Sequence, residues 1–168
     1  IIDNLYKNCE GSCPERENII PVFSISRIEI ENKGYPQLLD ALVLQDHLLR
    51  HRMMGQRHAD QTRVVCFLIA SHGPKSKDKL PEGFPINLPI EVLLGDEIRL
   101  ENMINDRRLN KDELISGRRS VAAVLYPQWL GPNDGGLGMR TDEVMAGCVA
   151  GIFPSQYEPF LLTALEAG

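Results

Sequence analysis

"TRVVCFLIA", Thr62 to Ala70, is a short run of β-branched and apolar residues, and it reads as a buried strand. What flanks it sets the architecture. Upstream, "IIPVFSIS" (Ile19 to Ser26) reads as another buried strand. Between the two lies "YPQLLDALVLQDHLLRHRMM", whose Leu38, Leu39, Leu42, Leu44, Leu48 and Leu49 mostly share one helical face. Pro36 suits the first turn of that helix, and Gly55 suits its stop. Downstream come a long Pro/Lys loop, a polar helix from Gly95 to Arg108, and a third strand in "SVAAVLYP". A Gly-rich loop, "QWLGPNDGGLGMR", leads to a short helix, "TDEVMAGC", capped by Thr141 or Asp142. "VAGIFP" reads as a fourth short strand, and "SQYEPFLLTALEAG" as a loop running into a closing helix.

Strands therefore alternate with helices along the chain. That order predicts parallel strands joined by crossovers: an α/β fold with a doubly wound, Rossmann-like parallel sheet. In such sheets ligands sit beyond the carboxyl ends of the strands. Three loops leave those ends: Arg27 to Gly34, Trp129 to Arg140, and Ser155 to Pro159.

The 168 residues suffice for one domain with a proper core. With 43% hydrophobic and 24% charged residues the composition is ordinary for a soluble globular protein. A net charge of -5 argues against a nucleic-acid or anionic-membrane surface. No apolar run approaches the roughly 20 residues of a membrane span. Cys66 and Cys148 sit in or beside apolar runs and read as buried thiols. Cys9 and Cys13 form a single C-x3-C, open to reading as surface thiols, a local disulfide or half a metal site. The cysteine usage fits a reducing, cytoplasmic compartment.

The loops carry specific chemistry. Arg27 and Lys33 put two fixed positive charges near a strand end, where they could clamp a diphosphate and stabilise charge on it as it leaves. Alternatively they are solvated charges beside Glu29 and Glu31. Pro159 can open a helix whose free N–H groups suit phosphate oxygens. Glu158 would stand at that helix entrance and Glu166 two turns on, near the same face, where each could accept hydrogen bonds from sugar hydroxyls.

"GCVAGIFPSQYEPFLLTALEAG" resembles the E-x7-E segment of retaining GT-B glycosyltransferases, in particular the glycogen synthases of the animal and fungal type. Three further stretches agree, in family order. "SRIEIENKGYPQLLDAL" is similar to the family's arginine, glutamate and Asn-Lys-Gly stretch, "TRVVCFLIA" to its second strand, and "SVAAVLYPQWL" to the strand and His-Pro-Glu-Phe-Leu turn beside the nucleotide base. The resemblance runs from about Pro21 to the end.

The resemblance implies that residues 1–168 form a single nucleotide-sugar-binding domain, the incomplete second half of a GT-B enzyme, with the acceptor domain outside this chain. It implies glucose transfer from UDP-glucose or ADP-glucose to an α-1,4-glucan, with no cofactor and no metal. This fragment alone would be inactive. By position, Arg27 and Lys33 match the residues that hold the donor diphosphate, Glu158 the carboxylate on the donor glucose, and Glu166 the one on the ribose. Leu162 and Thr163 match helix-start residues that meet the phosphates. Trp129 takes the place of an aromatic that packs by the uracil, and Tyr126 that of the turn histidine. A glycine of the family is Leu161 here, and a base-stacking tyrosine is Thr141. These two departures favour the alternative of a non-catalytic nucleotide or nucleotide-sugar binding module. The expected partners are a nucleotide sugar and a glucan reached through the other domain, with no nucleic acid and no membrane; homo-oligomerisation of the full-length protein is left open.

Other motifs are weaker. "CFLIASHG" is similar to the strand and Ser-His-Gly stretch of caspase-like proteases, but the Gln-Ala-Cys segment is absent. His47 and His51 are spaced as a metal pair on a helix without a carboxylate motif to complete it. "GPNDGGLG" lacks the Lys-Ser/Thr ending of a P-loop.

Overall fold

The computed structural model describes residues 15–56, 61–71, 93–134 and 137–156. The elements in chain order are β1 (Ile19–Arg27), α1 (Tyr35–Arg52), β2 (Arg63–Ser71), α2 (Asp96–Asp106), α3 (Lys111–Ile115), β3 (Val121–Tyr126), α4 (Thr141–Ala146) and β4 (Ala150–Gly151). The strands form one sheet in the order β3-β2-β1-β4. All three pairings are parallel: Phe23 faces Phe67 and Gly151, and Phe67 faces Val124. This is the expected Rossmann-like α/β arrangement.

A parallel strand in mid-sheet is covered on both faces, which is why its sequence shows no polar alternation. β2 obeys this: every residue from Arg63 to Ala70 is buried. β3 is buried throughout as well, although it lies at the end of the sheet order. Its outer edge is partly capped, since Ala123 N–H donates to the Leu109 carbonyl at 2.8 Å. Each large side chain taken fully from water, such as Leu68 or Leu100, contributes about 1.5–3 kcal/mol.

Helix α1 buries Tyr35, Leu38, Leu39, Leu42 and Asp46. That is a stripe at helical spacing. Leu44 and Leu48 were expected on the same face, yet they are 62% and 48% exposed. At about 100° per residue Leu44 points some 200° away from Leu42, so the stripe cannot include it. Gly34 precedes the helix in a left-handed conformation, and Arg50, His51 and Arg52 occupy its last turn, where cations favour the helix dipole. The chain stops being helical before Gly55, which lies in the following turn with φ 91°.

Two helix starts differ from expectation. α4 begins at Thr141 itself, so Arg140 holds the cap position and its N–H donates to Glu143 Oε2 at 2.7 Å. The five-residue α3 has no counterpart in the periodicity reading; Asn110 caps it by accepting from the Glu113 N–H at 3.1 Å. Strand β4 is shorter than "VAGIFP", only two residues long. Cys66 is buried as expected, whereas Cys148 is half-buried. The closing helix falls outside the described residues. Among the described residues no helix is long and apolar enough to cross a membrane.

Candidate functional site

The strand order contains a reversal. From β1 the sheet grows to β2 and then β3; the chain then returns to pair β4 on the other side of β1. A reversal of this kind, here at the carboxyl end of β1, is the usual ligand position in open α/β sheets. β4 is clamped there by Val149 N–H to the Pro21 carbonyl and Ile152 N–H to the Phe23 carbonyl, both 2.8 Å. Phe153 packs edge-on against Phe23, with ring centres 5.8 Å apart.

The loop after β1 is anchored by buried Ile28 and Ile30. It turns through Lys33 N–H to the Glu29 carbonyl (2.9 Å) and Gly34 N–H to the Glu31 carbonyl (3.1 Å). Asn32 Nδ2 donates to Glu29 Oε2 at 2.9 Å. The segment leaving β4 docks on this turn. Gln156 N–H donates to the Asn32 carbonyl at 2.8 Å. A Cβ added to Gly34, whose φ is 64°, would stand 2.1 Å from the Pro154 carbonyl oxygen. Glycine is thus required here on two counts, backbone conformation and close approach.

Arg27 ends β1 with a side chain 72% exposed, its Nε 3.9 Å from Glu29 Oε1. An exposed pair that long contributes little. Glu31 instead pairs with Arg99 at 2.5 Å. Lys33 is half-buried in the turn, one residue from each of the two groups that hold the 152–156 segment, Asn32 and Gly34. Glu158, Leu161, Leu162, Thr163 and Glu166 lie outside the described residues, as do His72, Cys9, Cys13 and His58.

The loop after β3 is built around Tyr126 and Asp134. The buried Tyr126 hydroxyl donates to Asp134 Oδ2 at 2.7 Å and accepts from the Leu137 N–H at 3.1 Å. Asp134 Oδ1 accepts from Gly138 N–H at 2.9 Å, and Gln128 Nε2 donates to the Asp134 carbonyl. Burial pushes the Tyr126 phenol well above its ordinary range. Its hydroxyl therefore ties the loop together. Trp129, next but two in sequence, is half exposed on the same loop. It borders a cleft of about 40 Å³, lined by Ile25, Ser26 and Ile69 from the strand ends and by Gln128, Trp129 and Thr141. Ser26 Oγ lies 2.7 Å from the Tyr35 hydroxyl, which fixes the cleft floor to α1.

Described parts of the three loops singled out in the sequence thus gather about the carboxyl end of β1: Asn32 touches Gln156, and Ser26 lies in one cleft with Trp129 and Thr141. Sequence reasoning gave no individual role to Asn32, Gly34, Gln128 or Asp134. A signal for Gly34 was present in the Asn-Lys-Gly turn before a helix; the Gln128–Asp134 pairing has no local signature.

Among the described residues, neither Cys66 nor Cys148 is an activated thiol. Burial pushes the Cys66 thiol up to about 12 and the Cys148 thiol up to about 11, the opposite of an activated nucleophile. His47 and His51 are exposed on α1, and among the described residues no group of three or more His, Cys, Asp or Glu could hold a metal ion.

A Rossmann-like sheet with its loops gathered at a switch point defines a broad class of ligand-binding α/β domains. Within that class, the chain is similar to glycogen synthases. It is 38% identical over 66 residues to glycogen [starch] synthase isoform 2 of Saccharomyces cerevisiae, covering 37% of this chain and 9% of that protein. Against glycogen [starch] synthase of Dictyostelium discoideum it is 23% identical over 199 residues, covering 89% of this chain and 23% of the relative. Isoform 1 of S. cerevisiae is 41% identical over 46 residues, which is 27% of this chain and 6% of that protein. The chain thus spans less than a quarter of the length of these relatives. No protein-family profile matches it.

Proposed function

We propose that this chain is the donor-binding part of a retaining GT-B glycosyltransferase of the animal and fungal glycogen synthase type. In this reading a nucleotide sugar, UDP-glucose or ADP-glucose, lies across the carboxyl ends of β1 and β4. Arg27 and Lys33 hold the diphosphate and stabilise the charge that develops on it as the glycosidic bond breaks. Glu158 accepts from glucose hydroxyls and Glu166 from the ribose. The helix-start amides of Leu162 and Thr163 meet phosphate oxygens. Trp129 packs by the base, and Tyr126 holds the loop that presents it. The glucan acceptor and the remaining catalytic groups belong to a separate domain of the full-length protein, so residues 1–168 alone bind donor without transferring sugar.

One observation carries this reading: Gln156 N–H bonds to the Asn32 carbonyl at 2.8 Å. It ties the turn bearing Lys33 to the segment that runs on toward Glu158, at the sheet's switch point. A binding module without catalysis is the second reading, favoured by Thr141 and Leu161 at positions where the resembled family has tyrosine and glycine.

The two separate in one experiment on the full-length protein. UDP-glucose and ADP-glucose are titrated, and glucan elongation is then assayed with whichever binds. Saturable binding with elongation supports the transferase. Binding without elongation supports the module, and no binding of either sugar nucleotide ends both readings.

A further inference from the structure

Glu29 bonds to the turn after β1 with both its main chain and its side chain. Its neighbours on either side, Ile28 and Ile30, are buried, so its backbone is anchored in the core. Its carbonyl accepts from the Lys33 N–H at 2.9 Å, closing one helical turn over residues 29–33. Its Oε2 accepts from Asn32 Nδ2, also at 2.9 Å, a bond strengthened by the charge on the carboxylate. Asn32 is thus held twice: its side chain by Glu29, and its carbonyl by the Gln156 N–H at 2.8 Å. Lys33 is the next residue along. The other carboxylate of the turn is engaged elsewhere, since Glu31 pairs with Arg99 of α2. Arg27 also borders Glu29, but at 3.9 Å and largely exposed. A guanidinium leaves so long a contact at little cost, while the carboxylate stays anchored on Asn32.

We propose that Glu29 is a positioning residue for the diphosphate clamp: by holding Asn32 it fixes the turn that presents Lys33. This rests on the sugar-transfer reading above and adds the group that sets the geometry of one of its two cations. Glu29 touches no substrate in this role. It acts through Lys33, and its carboxylate serves as a hydrogen-bond acceptor rather than as a charge.

The test uses the full-length protein and steady-state glucan elongation from the sugar nucleotide that it binds. Glu29→Ala is expected to lower kcat by about tenfold or more, as misplacement of a stabilising group does. Glu31→Ala removes the same charge from the same turn and is expected to change kcat by no more than about twofold, as loss of an exposed ion pair does. Glu29→Gln still offers Asn32 an acceptor and is expected to recover most of the parent's kcat. The deciding readout is a double-mutant cycle with Lys33→Ala. Adding Glu29→Ala to Lys33→Ala is expected to lower kcat no further. Asn32→Ala breaks the same bond from its other end, so it supplies the cycle if Glu29→Ala fails to fold. Losses that multiply in the cycle overturn the proposal, because Glu29 would then act independently of Lys33. A Glu29→Gln as impaired as Glu29→Ala, or a Glu29→Ala no worse than Glu31→Ala, also overturns it. With Lys33→Ala impaired, each of these results leaves the sugar-transfer reading standing. A Lys33→Ala within a few-fold of the parent removes the clamp assignment itself, and this inference with it.

Discussion

Asp46 on α1 and Arg119, just ahead of β3, form an ion pair 2.8 Å long in which the carboxylate is fully buried. The second carboxylate oxygen accepts from the Ser120 N–H at 2.6 Å. Arg119 also donates to the Arg107 carbonyl at 3.2 Å, beyond the end of α2. A helix is thus bound to the entry of a strand more than seventy residues away. Removing Asp46 takes the counter-charge from a largely buried Arg119, which keeps its bond to the Arg107 carbonyl, and takes the acceptor from the Ser120 N–H. We expect Asp46→Ala to destabilise the domain by about 3–5 kcal/mol, read as a fall in the denaturant midpoint. An unchanged midpoint would mean that the pair is structurally idle.

Gly34→Ala is expected to be damaging out of proportion to its size. The left-handed backbone alone costs a non-glycine residue about 1–2 kcal/mol, and the new methyl would lie 2.1 Å from the Pro154 oxygen. Unfolding measurements on the variant check the stability loss. A variant as stable as the parent would show that the 152–156 segment yields freely.

On the sugar-transfer reading, Lys33→Ala in the full-length protein should lower kcat by roughly 10²-fold or more, as loss of a preorganised charge stabiliser does. Steady-state kinetics decide it. A change within a few-fold would return Lys33 to the status of a surface cation.

Glu158→Gln should damage turnover more than UDP affinity, because its assigned contact is to the sugar and not to the nucleotide. Parallel kinetics and UDP titration test this. Equal losses in both would refute the assignment.

Alkaline pH offers a further check. Burial pushes the Tyr35 phenol up to about 12 from 10.0, partly offset by its hydrogen bond with Ser26. The folded state therefore favours the neutral phenol. Its contribution is fully present below the unfolded value and is lost as pH rises through the folded one. Between about pH 10 and 12, stability should fall less steeply in Tyr35→Phe than in the parent. Identical slopes by denaturant titration would show that Tyr35 ionises without penalty.

The sheet was legible because the buried parallel strands Ile19–Arg27 and Arg63–Ser71 are written as apolar runs bounded by polar segments. Strand 121–126 was equally plain. What failed were features governed by one or two contacts. α3 is too short to show a period, and its cap at Asn110 is a single hydrogen bond. Leu44 and Leu48 look like core by composition, yet their angular position turns them outward. In the site, the loops were identified by topology alone, and the described residues place them together. The pairings that hold them, Asn32 with Gln156 and Gln128 with Asp134, join positions whose meeting depends on tertiary structure. Residues 157–168, which carry the two candidate glutamates, rest on resemblance.

The seat of β4 beside β1 also has a kinetic consequence. Aligning Val22 with Ala150 closes a loop on the order of 130 residues, whereas the β1–β2 and β2–β3 pairings close spans less than half as long, and long closures carry the larger entropy cost. Strand β4 is two residues long, and beyond it the segment is held by the Val149, Ile152 and Gln156 N–H bonds and by Phe153 on Phe23. The β4 edge should accordingly be among the last parts of the domain to assemble during refolding and the first to open when stability is lowered.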